Sequence, residues 1–97
     1  MQLTLFNHPL YSDYVCNINT GEIYSLKNNQ IKLLKQRFNK YNSYLRFKIG
    51  KVKHYYSHRF IWECYYNEIL PRNIDVDHRD RNRFNNHINN LRKVIRI

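Results

Sequence analysis

Asp77, His78 and Asn90 are the side chains of this 97-residue sequence whose types and spacing could do chemistry. They lie in the run from Val76 to Arg92, apolar-alternating at its ends and polar in its middle, which reads as two strands around a loop. Asp77 offers a hard oxygen to a divalent cation, His78 a base whose ordinary pKa lies near neutrality, and Asn90 an amide able to orient either of them. Such a set could hold one metal ion and activate one water.

The elements that must position these groups are legible upstream. Tyr14–Ile18 and Glu22–Lys27 flank Asn19-Thr20-Gly21, good hairpin-turn chemistry, and Asn28-Asn29-Gln30 is another turn. From Tyr44 to Tyr56 strict alternation enters and leaves a Gly50-Lys51 two-residue turn. That register would set Ile49 opposite Val52, Lys48 opposite Lys53, Phe47 opposite His54 and Arg46 opposite Tyr55. Leu45, Phe47, Ile49 and Val52 would then form the apolar face, and Arg46, Lys48, Lys53 and Tyr55 the outer one. Ser57 suits a helix N-cap, the residues after it recur at helical spacing, and Pro71 ends the helix. The expected organisation of residues 1–97 is a single domain: a basic β-hairpin part at 14–56, a helix at 57–70, and the two-stranded motif at 74–97.

Seventeen Lys and Arg against seven Asp and Glu give a formal net charge of +10, which calls for a polyanionic partner. Between Glu22 and Glu63 there is no acid, yet there are ten cations: Lys27, Lys32, Lys35, Arg37, Lys40, Arg46, Lys48, Lys51, Lys53 and Arg59. With tyrosines interleaved, that stripe reads as a surface for nucleic-acid phosphates, DNA first; a merely solubilising face is the blander alternative. No long apolar run, signal-like segment or basic amphipathic helix points to a membrane. Cys16 and Cys64 form no CxxC pair, which fits buried, reduced thiols in a cytoplasm. Fourteen Asn, ten Ile and no Ala suggest an adenine- and thymine-rich coding sequence, hence a phage or mobile element acting in a host cytoplasm.

Ser57-His58-Arg59-Phe60-Ile61-Trp62, then Ile74-Asp75-Val76-Asp77-His78-Arg79-Asp80, then Asn85-Asn86-His87-Ile88-Asn89-Asn90-Leu91-Arg92 together resemble the HNH homing endonucleases of phages and mobile introns. The segment from Asn17 to Leu26 and the strand from Tyr44 to Ile49 are similar to the DNA-binding module that commonly precedes that motif. The resemblance implies an α+β fold: small antiparallel hairpins packed on one helix, then a ββα-metal-like motif. It implies that Asp77 ligates a divalent metal (Mg²⁺ or Mn²⁺), that His78 deprotonates the attacking water and that Asn90 holds the loop orienting His78. Arg79, Arg81, Arg83 and Arg92 would hold neighbouring phosphates, joining Arg46, Lys48, Lys51, Lys53 and Tyr55 as the nucleic-acid contact. In the resembled nucleases a further helix brings another metal ligand downstream of Asn90. Here Lys93–Ile97 can complete the strand, so the motif is expected to lack most or all of that helix and to hold metal weakly.

Other candidate groups read more simply. His87 suits a phosphate or structural role better than ligation, and Asp75 and Asp80 suit loop and salt-link roles. His54, His58, Cys16 and Cys64 could be drawn together as a zinc site, but His54 on the inner hairpin face and His58 at a helix start read better as structural histidines. Three functions are open: a metal-dependent nicking or cleaving endonuclease, a catalytically incomplete descendant that binds DNA or RNA, and an inhibitor that occupies the channel of a host nucleic-acid enzyme. A second copy pairing along the final strand is a further partner to consider.

Overall fold

Glu63 lies at the centre of the protein, 1 % exposed, on a helix in contact with strands from both ends of the chain. The computed structural model describes residues 4–96. Its N-terminal sheet runs in the order β1 (Leu5–Asn7), β2 (Tyr14–Asn17), β3 (Ile23–Ser25), β4 (Lys32–Leu33), all antiparallel. A second antiparallel sheet comprises β5 (Arg37–Phe38), β6 (Leu45–Ile49) and β7 (Lys53–Tyr56), which leads directly into α1 (Ser57–Tyr66). The hairpin of β8 (Ile74–His78) and β9 (Leu91–Ile95) completes an α+β fold in which α1 is the one α-helix among the described residues. The expected strand Lys93–Ile97 is seen as far as Ile95, and Ile97 lies outside the described residues.

Turn chemistry sets the first hairpin. Asn17 Oδ1 accepts the Asn19 and Thr20 amides at 2.9 and 3.3 Å, and Gly21 takes φ +80°, a conformation costly to a residue with a Cβ. Asn28 and Asn29 turn the chain again with φ 59° and 57°.

The β6–β7 hairpin departs from the expected register by one residue. Ile49 pairs with Lys53, Lys48 with His54, Phe47 with Tyr55 and Arg46 with Tyr56, so Gly50, Lys51 and Val52 all belong to the turn. Because side chains alternate, a one-residue slip exchanges the faces of β7. Tyr55 therefore packs inward against Phe47 and Phe60, His54 points out to solvent, and Val52 is 84 % exposed rather than on the apolar face. The gain is internal: Tyr55 donates its hydroxyl to Glu63, a bond that the register predicted from the turn would forgo.

Glu63 ties this core together. Its Oε1 also accepts from His8 Nε2 at 2.8 Å, and its Oε2 accepts the Leu70 amide at 2.9 Å. His8 Nδ1 accepts the Leu10 and Tyr11 amides at 3.1 and 3.2 Å, which leaves Nε2 as the ring's N–H donor to the carboxylate. Burial and the Glu63 bond push the Tyr55 hydroxyl far above its ordinary pKa, so it stays a donor. Around this polar centre pack Phe60, Ile61, Cys16, Ile23 and Phe47, with Val76, Ile88 and Leu91 from the C-terminal hairpin.

The helix also differs at both ends. Ser57 is its first residue rather than its cap; Tyr56 takes the N-cap position, and Ser57 Oγ is buried with no partner among the described residues. The helix stops at Tyr66, before Pro71, because Asn67 takes a left-handed conformation (φ 54°) at the C-cap. That release frees Glu68 to accept from Trp62 Nε1 at 2.9 Å and Lys93 Nζ at 3.2 Å, linking α1 to β9.

Glu63→Ala is expected to lower stability by about 3 kcal/mol, because His8 and Tyr55 then lose their buried acceptor. Urea unfolding reads this as a lower midpoint. Val52→Thr, in the exposed turn, should change it by less than about 0.5 kcal/mol; a core-sized loss there would contradict the observed register.

Candidate functional site

The C-terminal hairpin folds as its alternation requires. Ile74 pairs with Ile95, Asp77 with Arg92 and His78 with Leu91. Val76, His78 and Leu91 are buried, while Asp75 and Asp77 point to the opposite face of β8. There Asp77 accepts from Arg92 at 3.0 Å and Asp75 from Arg96 at 2.7 Å. The Arg96 guanidinium holds the Asp75 carboxyl below its ordinary pKa.

Between the strands, Asp80 and Asn90 close the loop on itself. Asp80 Oδ1 accepts from the Asn82 amide and from Asn90 Nδ2, at 2.8 and 2.9 Å, and its Oδ2 accepts from Asn85 Nδ2 at 2.9 Å. Asn90 donates to the Asn85 carbonyl at 2.8 Å and accepts the Asp80 amide at 3.1 Å. These donors, Asn85 foremost, hold the Asp80 carboxyl below its ordinary pKa. Asn90 thus braces the loop that follows His78. His87 caps the short 3-10 turn Ile88–Asn90 by accepting the Asn89 amide on Nδ1 at 3.1 Å.

His78 is 3 % exposed, with Nε2 2.7 Å from Asn86 Oδ1. As the acceptor is an amide oxygen, Nε2 carries the proton and the lone pair of a neutral ring is on Nδ1. The ring belongs to a stack: Tyr44 lies on His58 with centroids 4.5 Å apart and planes at 24°, and His58 is 5.1 Å from His78. His58 Nδ1 is buried without a partner among the described residues. Burial, reinforced by the neighbouring His78 and Arg59, pushes the His58 imidazole down to about 3.

Two contacts dock the N-terminal sheet onto this loop. The Ile88 amide donates to the Ile18 carbonyl at 2.9 Å, and a Cβ on Gly21 would stand 3.0 Å from the Asn86 Cβ. Gly21 is therefore required both by its φ and by the close approach of the residue that holds His78. In the sequence Gly21 reads only as a turn residue and Asn86 only as part of the C-terminal motif; their meeting is a long-range contact that no local pattern shows.

Asp77, His78 and Asn90 thus flank one loop without converging on one point. Consecutive strand residues project to opposite faces, so Asp77 meets Arg92 while His78 meets Asn86. Among the described residues no three His, Cys, Asp or Glu side chains are placed to hold a metal ion. Asp77, the expected metal ligand, is half exposed and ion-paired with Arg92. The four residues considered for zinc are also dispersed: His54 faces solvent, His58 is in the stack, and Cys16 and Cys64 are buried against each other in the core.

The cations divide into engaged and free. Arg59, counted in the phosphate stripe, instead donates to the carbonyls of Leu70, Pro71 and Ile74 at 2.7 Å, pinning the connection from α1 to β8. Arg83 donates to the Asn42 carbonyl and stacks 4.5 Å over the Tyr44 ring, and Arg92 is taken by Asp77. Tyr55, expected on the outer face, is committed to Glu63. Lys48, Lys51, Lys53, Arg79 and Arg81 are exposed. Lys48 faces His54 rather than Lys53, but a like-charge pair does occur: Arg37 on β5 lies directly opposite Arg46 on β6. They border a cleft of about 330 Å³ shared with Lys35, Lys48 and His54 and lined by no carboxylate. Lys35 and Arg37 lay in the acid-free run, but a two-residue strand gave no alternation from which to read their pairing.

Gly21→Ala is expected to destabilise the fold by about 1–2 kcal/mol, through strain at positive φ and displacement of Asn86, and to shift the His78 ring resonances in NMR spectra. The low pKa of His58 fixes a second outcome. Its ordinary value is 6.5, so below that pH the unfolded chain takes up a proton that the folded ring refuses. Stability is then full above about pH 6.5 and falls on acidification by at most about 1.4 kcal/mol per pH unit. His58→Phe, which retains the stack, should remove its share of that slope between about pH 6.5 and pH 5, above the carboxylate range, in urea titrations at each pH.

No helix among the described residues is long and apolar enough to cross a membrane. No curated protein and no solved structure matches the chain. Residues 55–96 do match the family model described as HNH endonuclease, a span running from the end of β7 through α1 and the β8–β9 hairpin that carries Asp77, His78 and Asn90.

Proposed function

We propose that this protein binds nucleic acid, DNA first, through the basic face of β5–β7 and the exposed arginines of the β8–β9 loop, as an HNH-type protein that binds without hydrolysing in the conformation described. One observation carries the reading: Arg37 and Arg46 face each other in a cleft that contains cations and no carboxylate. Like charges directly across a ladder are destabilising, and a phosphate between them reverses the sign of that interaction. The HNH endonuclease match over residues 55–96 supports the same class of partner.

The geometry at His78 argues for binding over cleavage. A general base must reach a water beside the scissile phosphate, and His78 is 3 % exposed, packed with His58 and Tyr44, although its Nδ1 lone pair is not engaged by Asn86. Asp77 is bonded to Arg92 on the far face of the strand. A second reading, metal-dependent nicking of DNA with Mg²⁺ or Mn²⁺, draws support from Asn90, whose bonds to Asp80 and Asn85 keep the loop after His78 organised. On that reading the His78–Asn86 bond orients the ring and leaves its Nδ1 lone pair to take the proton from water.

Fluorescence anisotropy with labelled DNA across a salt series tests the binding. Affinity should fall steeply with salt, and Arg37→Ala and Arg46→Ala should each lower the slope of log K against log salt by about one; a salt-independent or undetectable affinity refutes the proposal. Supercoiled plasmid with Mg²⁺ or Mn²⁺ decides hydrolysis. Equal inertness of the parent and His78→Ala is expected, whereas nicking lost in His78→Ala would establish the endonuclease. Chromatography of the purified protein, free and with DNA, shows whether a second copy takes part, and a pull-down from host lysate treated with nuclease shows whether a host nucleic-acid enzyme does.

A further inference from the structure

Phe38 and Phe84 form an aromatic pair at the protein surface, 61 % and 55 % exposed, with centroids 6.1 Å apart and planes at 83°. They come from different elements, Phe38 from β5 and Phe84 from the β8–β9 loop. What brings them together is the docking of that loop on the β5–β6 connection: Arg83 donates to the Asn42 carbonyl and lies over the Tyr44 ring. Phe84 is held as well, its amide donating to Asn82 Oδ1 at 3.1 Å. The loop that carries Phe84 is thus fastened beside Phe38 while both rings stay half uncovered, which lowers the conformational cost of covering them.

The surroundings identify what covers them. Arg37 precedes Phe38 and Arg83 precedes Phe84, and the one carboxylate between His78 and Leu91 is Asp80, whose oxygens are occupied by Asn82, Asn85 and Asn90. A second copy of the chain would bring the same positive charge to the contact. A base joined to phosphates supplies a flat π face for the rings and negative charge for the flanking arginines. In a duplex the base faces are covered by their neighbours; in a single strand they are free to stack.

We propose that Phe38 and Phe84 are a stacking platform for an unpaired base of single-stranded nucleic acid, placed where the basic sheet and the HNH-type hairpin meet. The platform explains why two large apolar side chains are exposed amid arginines. It rests on the nucleic-acid-binding reading but requires more, because phosphate contacts alone are indifferent to whether bases are present.

An oligonucleotide and its abasic counterpart separate the two. Oligo(dT) and an abasic phosphodiester oligomer of equal length carry the same charge, and anisotropy titrations compare them. The full chain should bind oligo(dT) about tenfold more tightly, the equivalent of one stacked base. Phe38→Ala and Phe84→Ala should each erase most of that preference with abasic affinity unchanged, while Phe84→Tyr should retain it. Thermal unfolding of the variants should match the parent, since both rings are largely exposed. Equal affinity of the parent for the two oligomers, or a preference that survives the double alanine variant, overturns the platform and leaves binding through the basic face standing. A larger loss on duplex than on oligo(dT) in the alanine variants also overturns it. Binding to neither oligomer nor duplex removes the platform and the proposed function together.

Discussion

A buried carboxylate with three donors is the constraint on which the rest of this structure depends. Glu63 is taken out of water on the inner face of α1, and such a group is tolerated only where hydrogen bonds replace its hydration. The donors come from three places: His8 after β1, Tyr55 on β7 and the Leu70 amide in the connection to β8. Satisfying one side chain therefore fixes the N-terminal sheet, the middle sheet and the start of the C-terminal hairpin relative to one helix. It also selects the register of β6–β7, because the alternative would turn Tyr55 outward and leave Glu63 short of a donor.

Position then propagates along α1. One turn before Glu63, Arg59 gathers the carbonyls of Leu70, Pro71 and Ile74, and His58 enters the stack with Tyr44 and His78. The segment preceding β8 is thereby fastened to the helix, and the face of β8 bearing Val76 and His78 is pressed into the core. The same packing that orders the hairpin buries His78. Fastening from the other side, by Gly21 against Asn86 and by Arg83 on Tyr44, makes the loop a junction between the two halves of the chain.

That junction shapes the functional reading. A surface on which Arg37 opposes Arg46, with Arg79 and Arg81 exposed on the neighbouring loop, is electrostatically unsatisfied by the protein itself. By contrast, the carboxylates near the motif are satisfied internally: Asp75 by Arg96, Asp77 by Arg92 and Asp80 by its asparagines. Around the motif the acids are thus engaged within the protein, while Arg79 and Arg81 stay exposed.

Much of this architecture was legible in the order of residues, because it follows from short-range chemistry. The Asn19-Thr20-Gly21 turn, the alternation that makes β8 and β9 flank a polar loop, and the α+β character each depend on neighbours a few positions apart. The acid-free stripe was equally visible, since net charge needs no coordinates. The β6–β7 register was not: the turn Gly50-Lys51 argued for one pairing, and a bond from Tyr55 to a carboxylate on the next element supports another. Helix length was not legible either, because Asn67 turns left-handed four residues before the proline. The chain by itself determined which groups exist, a basic surface and the Asp77, His78 and Asn90 set, because composition and local periodicity are properties of sequence. Only the tertiary structure decided which of them are free to act. Whether a side chain faces water, Asn86, Arg92 or another arginine is set by contacts between segments far apart in the chain, where burial and satisfied hydrogen bonds outweigh local preference.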